Sequence, residues 1–574
     1  MELKINGVKT QDPELIAHHL NVYFTHIADK ILSNIQHRLH HPSEDTEPTR
    51  QIQTMHLRPT NQHEVLQVVK SLKNKTSTGV DNISAKLLKS CKDQLVTPLV
   101  HIINQSFKEG IFPTNLKISK VYPKLKKGNH LDPQNYRPIS LIPTFSKVFE
   151  KIMLYRLFHH LSFHNILTPK QHGFIGGKST TSAITTLVEF LIDNLEAGNI
   201  PTAILLDMTK AFDCLDHAKL IKKMMTMGIN GAAASWFKSY LTGRTQMVEL
   251  KHTDKGVTRS LRSKLLPVTR GVPQGSVLGP ILFILYTNDL PEYLDNYSKT
   301  LMYADDTVLL LSDKLPEMLE MQSEVALNMA LQYCHNNSLV INEVKTQQLV
   351  FGRKRDQVGR LPDIEASEEA KYLGITLDEK LTWTPHTDTL CRKLSSGLYV
   401  IRRIIGIVGT NAAKTAYHAL FESHLRYGLG VWGYSSATNL HRVLLSQKKA
   451  IRVIAELNIR DSCRQKFVEL RILTVVCLYI LEVTTHASML QLERGFDRHS
   501  HNTRRAANYT LPTHHLSVFE EKPSYIGTKF LNFLPEEAKD EDVLKMRRRL
   551  TSWLLQRPFY TIEEFLAWRT TLLE

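Results

Sequence analysis

The sequence predicts an α+β fold, and three stretches carry that prediction. Lys299-Thr300-Leu301-Met302 and Thr307 to Leu311 are apolar runs parted only by Tyr303-Ala304-Asp305-Asp306. The break is too short to start a helix, so it reads as a β-hairpin with the acids at its tip. Ala203-Ile204-Leu205-Leu206 is a second buried strand, closed by Asp207. From His386 to about Ala455 the chain reads as helical and basic, with Arg392, Lys393, Arg402, Arg403, Arg426, Lys448, Lys449 and Arg452.

A chain of 574 residues is too long for one core, and about two to four domains are expected. Its composition, 42% hydrophobic and 22% charged, is that of an ordinary globular protein. The net charge of +16 suits a polyanionic partner but does not require one. None of the six cysteines forms a Cys-x-x-Cys pair, which argues against a zinc knuckle or a disulfide framework and for reduced thiols inside a cell. No apolar run reaches the roughly 18 residues that span a bilayer, so no membrane role is expected. The N-terminal residues are not those of a signal peptide.

Residues 1–72 read as a helical connector, with helical periodicity over Leu15 to Ile35 and a polar linker over His37 to Arg50. A basic turn with Gly79 leads into helices over Ser84 to Cys91 and Leu95 to Phe107. Tyr122-Pro123-Lys124-Leu125-Lys126-Lys127-Gly128 reads as a strand entering a basic turn. Asn135-Tyr136-Arg137-Pro138-Ile139-Ser140-Leu141 and a helix around Phe145 to Leu157 come next. Cations on two legs of a hairpin are able to clamp a triphosphate; a solvated basic turn is the plain alternative.

Gly177-Lys178-Ser179 has the end of a phosphate-binding loop, but His172 stands where its first glycine belongs and no strand precedes it, so a P-loop is rejected. Asp207, ending its strand, reads either as a helix cap or as a metal ligand at the rim of a sheet. Asp213 and Asp216 read as solvent-facing or capping. Gly271-Val272-Pro273-Gln274-Gly275-Ser276-Val277-Leu278-Gly279 is a loop whose glycines let a backbone approach a ligand. A surface hairpin over 251–266, helices over Ile281 to Tyr286 and Leu315 to Tyr333, a strand over Leu339 to Asn342, a turn–strand over Tyr372 to Leu377 and a basic helix from about Asp540 to Leu555 complete the reading.

The ordered motifs Tyr122-Pro-Lys, Asn135-Tyr-Arg-Pro-Ile-Ser-Leu, Leu206-Asp-Met-Thr-Lys-Ala-Phe-Asp, Gly271-Val-Pro-Gln-Gly-Ser, Tyr303-Ala-Asp-Asp, Lys345-Thr and Tyr372-Leu-Gly-Ile resemble the reverse transcriptase of non-LTR, jockey-like retrotransposons. The resemblance covers about residues 73 to 380, and more weakly the rest. It implies a right-hand polymerase: fingers over 73–200, an antiparallel palm over 201–384, a helical thumb over 385–460 and a helical C-terminal region over 461–574. It implies RNA-directed DNA synthesis from dNTPs on an RNA template and DNA primer, with no specific protein partner deducible.

By the same resemblance, Asp207, Asp305 and the supporting Asp306 hold two Mg²⁺ ions, with Mn²⁺ a substitute. Lys124 and Arg137 hold the triphosphate, and Lys126 or Lys127 is able to replace Lys124. Phe212 excludes the ribose 2′-hydroxyl. Gln274 and Gly275 line the template–nucleotide pocket. Lys345 donates a proton to pyrophosphate.

Such elements carry an endonuclease ahead of the polymerase, and here the sequence begins in what reads as the connector after it. A truncated element or partial gene model is therefore expected. A remnant that binds RNA without polymerising, and an RNA-dependent RNA polymerase disfavoured by Phe212, are the competing readings. No Cys/His knuckle is legible, so RNA capture would rest on connector and thumb. Priming at a chromosomal nick would need the nucleus, but no localisation run separates nucleus from cytoplasm.

Overall fold

A computed structural model describes residues 2–33, 52–254, 256–498, 507–535, 539 and 541–570. The polar linker read over His37 to Arg50 lies outside the described residues. The chain forms two compact units, each assembled from three segments: Met1–Phe174, Asp207–Asp305 and Ala326–Asn342 in the first, Ile175–Leu206, Asp306–Val325 and Glu343–Glu574 in the second. It is a mixed fold of helices and sheets.

In the first unit, strand Ile118–Leu125 lies between Tyr136–Leu141, its antiparallel partner, and Arg244–Asp254, its parallel one; Arg244–Asp254 also pairs with Val257–Arg262 and Leu266–Val268. The apolar face of this sheet is closed by the N-terminal helix Pro13–Ser33. Ile16, Ala17, Leu20 and Phe24 pack there with Val121, Tyr136, Val248 and Leu250. Asn21 ties the same helix down by donating to the carbonyls of Gln246 and Lys264. A second core gathers Phe112, Phe149, Trp236 and Tyr240, the last two rings stacked at 5.7 Å. The helix Lys92–Glu109 stops at Gly110, whose left-handed φ of 67° ends it.

The second unit is built on Ile200–Leu206, almost wholly buried, as a continuous apolar run requires. Asp306–Asp313 pairs antiparallel along one side, Gln347–Val350 antiparallel along the other, and Glu365–Ala366 parallel beyond that. Glu369–Tyr372 and Ile375–Asp378 form a separate hairpin. The rest of the unit is largely helical, with Thr180–Glu196, Thr384–Val408, Ala437–Ile454, Val475–Ala487, Pro523–Phe533 and Val543–Leu555 among its longer helices. Val475–Ala487 is buried along nearly its whole length, so it forms the middle of this helical region. The segment 515–524 is fastened to helix Thr180–Glu196: Glu196 accepts from the N–H groups of His515 and Leu516, Glu189 from that of Ser524, and Lys522 pairs with Asp193 at 2.6 Å.

Two expectations are corrected. Leu339 to Asn342 is not a strand. Ser338 adopts a left-handed φ of 54° just before it, and the segment makes only a single bridge, between Met208 and Ile341. The two acids do not share one tip: Ala304-Asp305 makes the turn, and Asp306 is already the first residue of the next strand.

Candidate active site

Asp207 comes directly after the buried strand, and its backbone is held on both sides. Its carbonyl accepts from Asn342 N–H at 2.7 Å, and Thr209 N–H donates to Val340 at 2.8 Å. Lys210 then turns through a left-handed φ of 49°, opening the short helix Ala211–Cys214 that carries Phe212 and Asp213.

Asp305 sits in a turn made possible by Ala304, whose φ of 56° exposes its N–H inward. That N–H donates to Gln171 Oε1 at 2.9 Å, and Gly173 N–H donates to the same oxygen at 2.7 Å. His172 N–H bonds Met302 and Met302 N–H bonds Lys170, so residues 170–173 run beside strand Lys299–Tyr303. A Cβ on Gly173 would stand 2.5 Å from Ala304 N, so only glycine fits. Sequence reasoning passed over Gln171 and Gly173. The clue was a Gln-His-Gly stretch whose glycine no turn motif claimed.

Asp207 and Asp305, far apart in sequence, come within electrostatic reach. Burial holds the Asp305 carboxyl above the usual carboxylate range. The charge of Asp207 adds to this, while its own backbone N–H, Arg137 and Lys126 pull the other way. Two cations of the basic hairpin thus act on the acid through their charge. Lys124 and Arg137 are direct cross-strand partners, and Lys126 N–H donates to Asn135 at the hairpin's end. Among the candidate lysines, the charge of Lys126 acts on Asp305.

Phe212 is half-buried, its ring 4.6 Å from that of Phe283. Gln274 donates through Nε2 to both carboxylate oxygens of Asp213, at 2.9 and 3.1 Å. Asp213 is partly buried, and a side-chain amide covers its carboxylate. Asp216 does cap, accepting from the N–H groups of Ala218 and Lys219, and pairs with Arg270. Gly275, with φ +127°, lies so close to Ser140 that a Cβ would be 2.7 Å from its carbonyl oxygen. That glycine seats the loop on strand Tyr136–Leu141, a packing role beyond the ligand approach read from sequence.

Asp306 and Lys345 belong to the second unit. Asp306 is exposed. Burial first, and the Asp306 charge after it, drive the Tyr372 phenol far up. Lys345 ends an exposed turn, Glu343–Lys345.

Among the described residues, no three His, Cys, Asp or Glu side chains are grouped to hold an ion by themselves. The Asp207–Asp305 pair supplies two hard oxygen donors whose mutual repulsion a divalent cation would relieve. Such a cation takes its remaining ligands from phosphates and water. The donor chemistry therefore fits Mg²⁺.

Acids that repel one another, answered by cations on a hairpin, suit an enzyme that handles a divalent ion and a polyphosphate together. Residues 124–377 match the family model described as reverse transcriptase (RNA-dependent DNA polymerase), and the chain carries a reverse transcriptase domain there. It is 29% identical over 456 residues to the probable RNA-directed DNA polymerase from transposon BS of Drosophila melanogaster, covering 77% of this chain and 49% of that protein. It is 26% identical to the corresponding protein of transposon X-element, covering 81% and 51%. To the RNA-directed DNA polymerase from mobile element jockey it is 27% identical, covering 68% and 43%; both proteins are also from Drosophila melanogaster. The chain thus spans about half the length of the curated relatives it matches. The resemblance to non-LTR retrotransposon reverse transcriptases is borne out. Among the described residues no helix is long and apolar enough to cross a membrane.

Proposed function

We propose that this chain extends a DNA primer with dNTPs on an RNA template, working as a right hand with fingers over 73–200, palm over 201–384, thumb over 385–460 and a helical region beyond. The supporting observation is that the Asp207 charge bears on the carboxyl of Asp305. Asp207 and Asp305, with Asp306 next to Asp305 in sequence, would hold two Mg²⁺ ions. Bound there, such ions stabilise the attacking and leaving oxygens of an in-line displacement at the α-phosphate.

The remaining work belongs to the chain's own side chains. Arg137 gives the triphosphate a bidentate contact and Lys126 a point charge, in the place first given to Lys124. Phe212, braced by Phe283, blocks the space a 2′-hydroxyl would need. Gln274 and Gly275 line the pocket for the incoming nucleotide. Lys345 delivers a proton to the departing pyrophosphate. The basic helices from 385 onward grip the hybrid through its phosphates, which makes binding weaken with salt.

Primer extension on an RNA template with dNTPs and Mg²⁺ tests the proposal. The unaltered chain should extend and Asp305→Asn should not. Salt-sensitive RNA binding with no extension under any metal would favour a non-polymerising RNA binder instead.

A further inference from the structure

Asp213 has no part in the reaction above, yet its contacts are specific. Both its carboxylate oxygens receive Nε2 of Gln274, and burial holds the carboxyl above its usual range against the pull of that hydrogen bond and of Lys210. The backbone of the Gln274 loop is fixed by other groups. Ser140 N–H donates to the Gln274 carbonyl at 2.8 Å. The buried carboxylate of Glu150 accepts from Val277 N–H at 2.6 Å and Leu278 N–H at 3.1 Å. What Asp213 adds is therefore the direction of one side chain.

A carboxylate accepts hydrogen bonds and offers none. It must take the amide NH₂ of Gln274, and this turns Oε1 the other way. The pair also lines a cavity of about 40 Å³ together with Arg244, which is 2% exposed and whose Nε and Nη2 have no hydrogen-bond partner among the described residues. In a partly buried polar setting, a hydrogen bond to a charged group holds more firmly than it would in water.

We infer that Asp213 is a positioning residue: it fixes the amide of Gln274 so that Oε1 is presented as an acceptor to a hydrogen-bond donor on the incoming nucleotide. This rests on the polymerase reading. Asparagine at 213 gives and accepts equally well, so in Asp213→Asn the Gln274 amide is free to turn over.

Single-nucleotide extension kinetics with the full chain test the inference, comparing Asp213→Asn, Asp213→Ser, Gln274→Ala and the double variant Asp213→Asn/Gln274→Ala. Loss of one charge-assisted contact should raise KM for dNTP about tenfold, with kcat changed less than about twofold. The double variant should be no worse than Gln274→Ala alone, because Asp213 acts only through Gln274. An unchanged KM in the folded single variants, or effects that multiply in the double one, would overturn the inference while leaving the polymerase reading intact. No extension by the unaltered chain would overturn both.

Discussion

The charge of Asp207 shifts the Asp305 carboxyl upward, second in that direction to the burial of Asp305 itself. This has a stability consequence. A carboxyl whose folded value lies above its unfolded one costs the fold stability when ionised. That cost is absent below the ordinary carboxylate range and complete above the raised value. In metal-free buffer near pH 7, Asp305→Asn should therefore melt at a higher temperature than the unaltered chain, by a degree or two on the order of magnitude. Below about pH 3.9 the difference should vanish. Mg²⁺ should raise the melting temperature of the unaltered chain alone, narrowing or reversing the gap. Thermal melting at two pH values, with and without Mg²⁺, measures all of this.

The charge of Lys126 reaches Asp305, and Lys124 is the cross-strand partner of Arg137. Lys126→Ala should raise KM for dNTP about tenfold and Arg137→Ala about ten- to a hundredfold, as expected for charge-assisted contacts to phosphate. Lys124→Ala should have the smaller effect of the two lysines. Steady-state extension at fixed primer–template gives the ranking, and a larger effect at Lys124 would return it to the role first assigned.

Phe212 rests on Phe283 with ring centroids 4.6 Å apart. Trimming it to valine should open space for a ribose 2′-hydroxyl and let rNTPs be incorporated. Lost ring contact should also cost on the order of 1 kcal/mol of stability. Competition between dNTP and rNTP in extension, with a denaturant melt alongside, reads both effects. Unchanged discrimination would remove Phe212 from the sugar-selecting role.

The parts of the site legible in the sequence are those written as continuous runs. Ile200–Leu206 and Lys299–Tyr303 are apolar stretches bounded by acids, so strand and acid were both readable. Lys126 was not separable from Lys124, because residues two apart share one face of an extended strand, and only the strand's end at Leu125 tells them apart. The contact of Asp213 was not legible because its partner, Gln274, lies in another loop. The strand read over Leu339 to Asn342 failed on the backbone of Ser338, a serine in a conformation that composition does not announce.

Gln171 was invisible for a related reason: what it bonds is backbone. It is 1% exposed, and its Oε1 satisfies the N–H groups of both Gly173 and Ala304. Ala304 has a left-handed φ that costs an L-residue free energy unless its surroundings hold it there. Gln171→Leu keeps the bulk but leaves two buried N–H groups unpaired, at about 1–3 kcal/mol for each such group. The turn carrying Asp305 is then free to relax. Gly173→Ala should act on the same turn by steric means, since its Cβ would meet Ala304 N at 2.5 Å. Both substitutions should lower kcat for extension by an order of magnitude or more, while the two-stranded basic hairpin, held by its own register, keeps KM for dNTP near its original value. A Gln171→Leu protein with unaltered kcat would mean that the Asp305 turn holds its shape without that side chain.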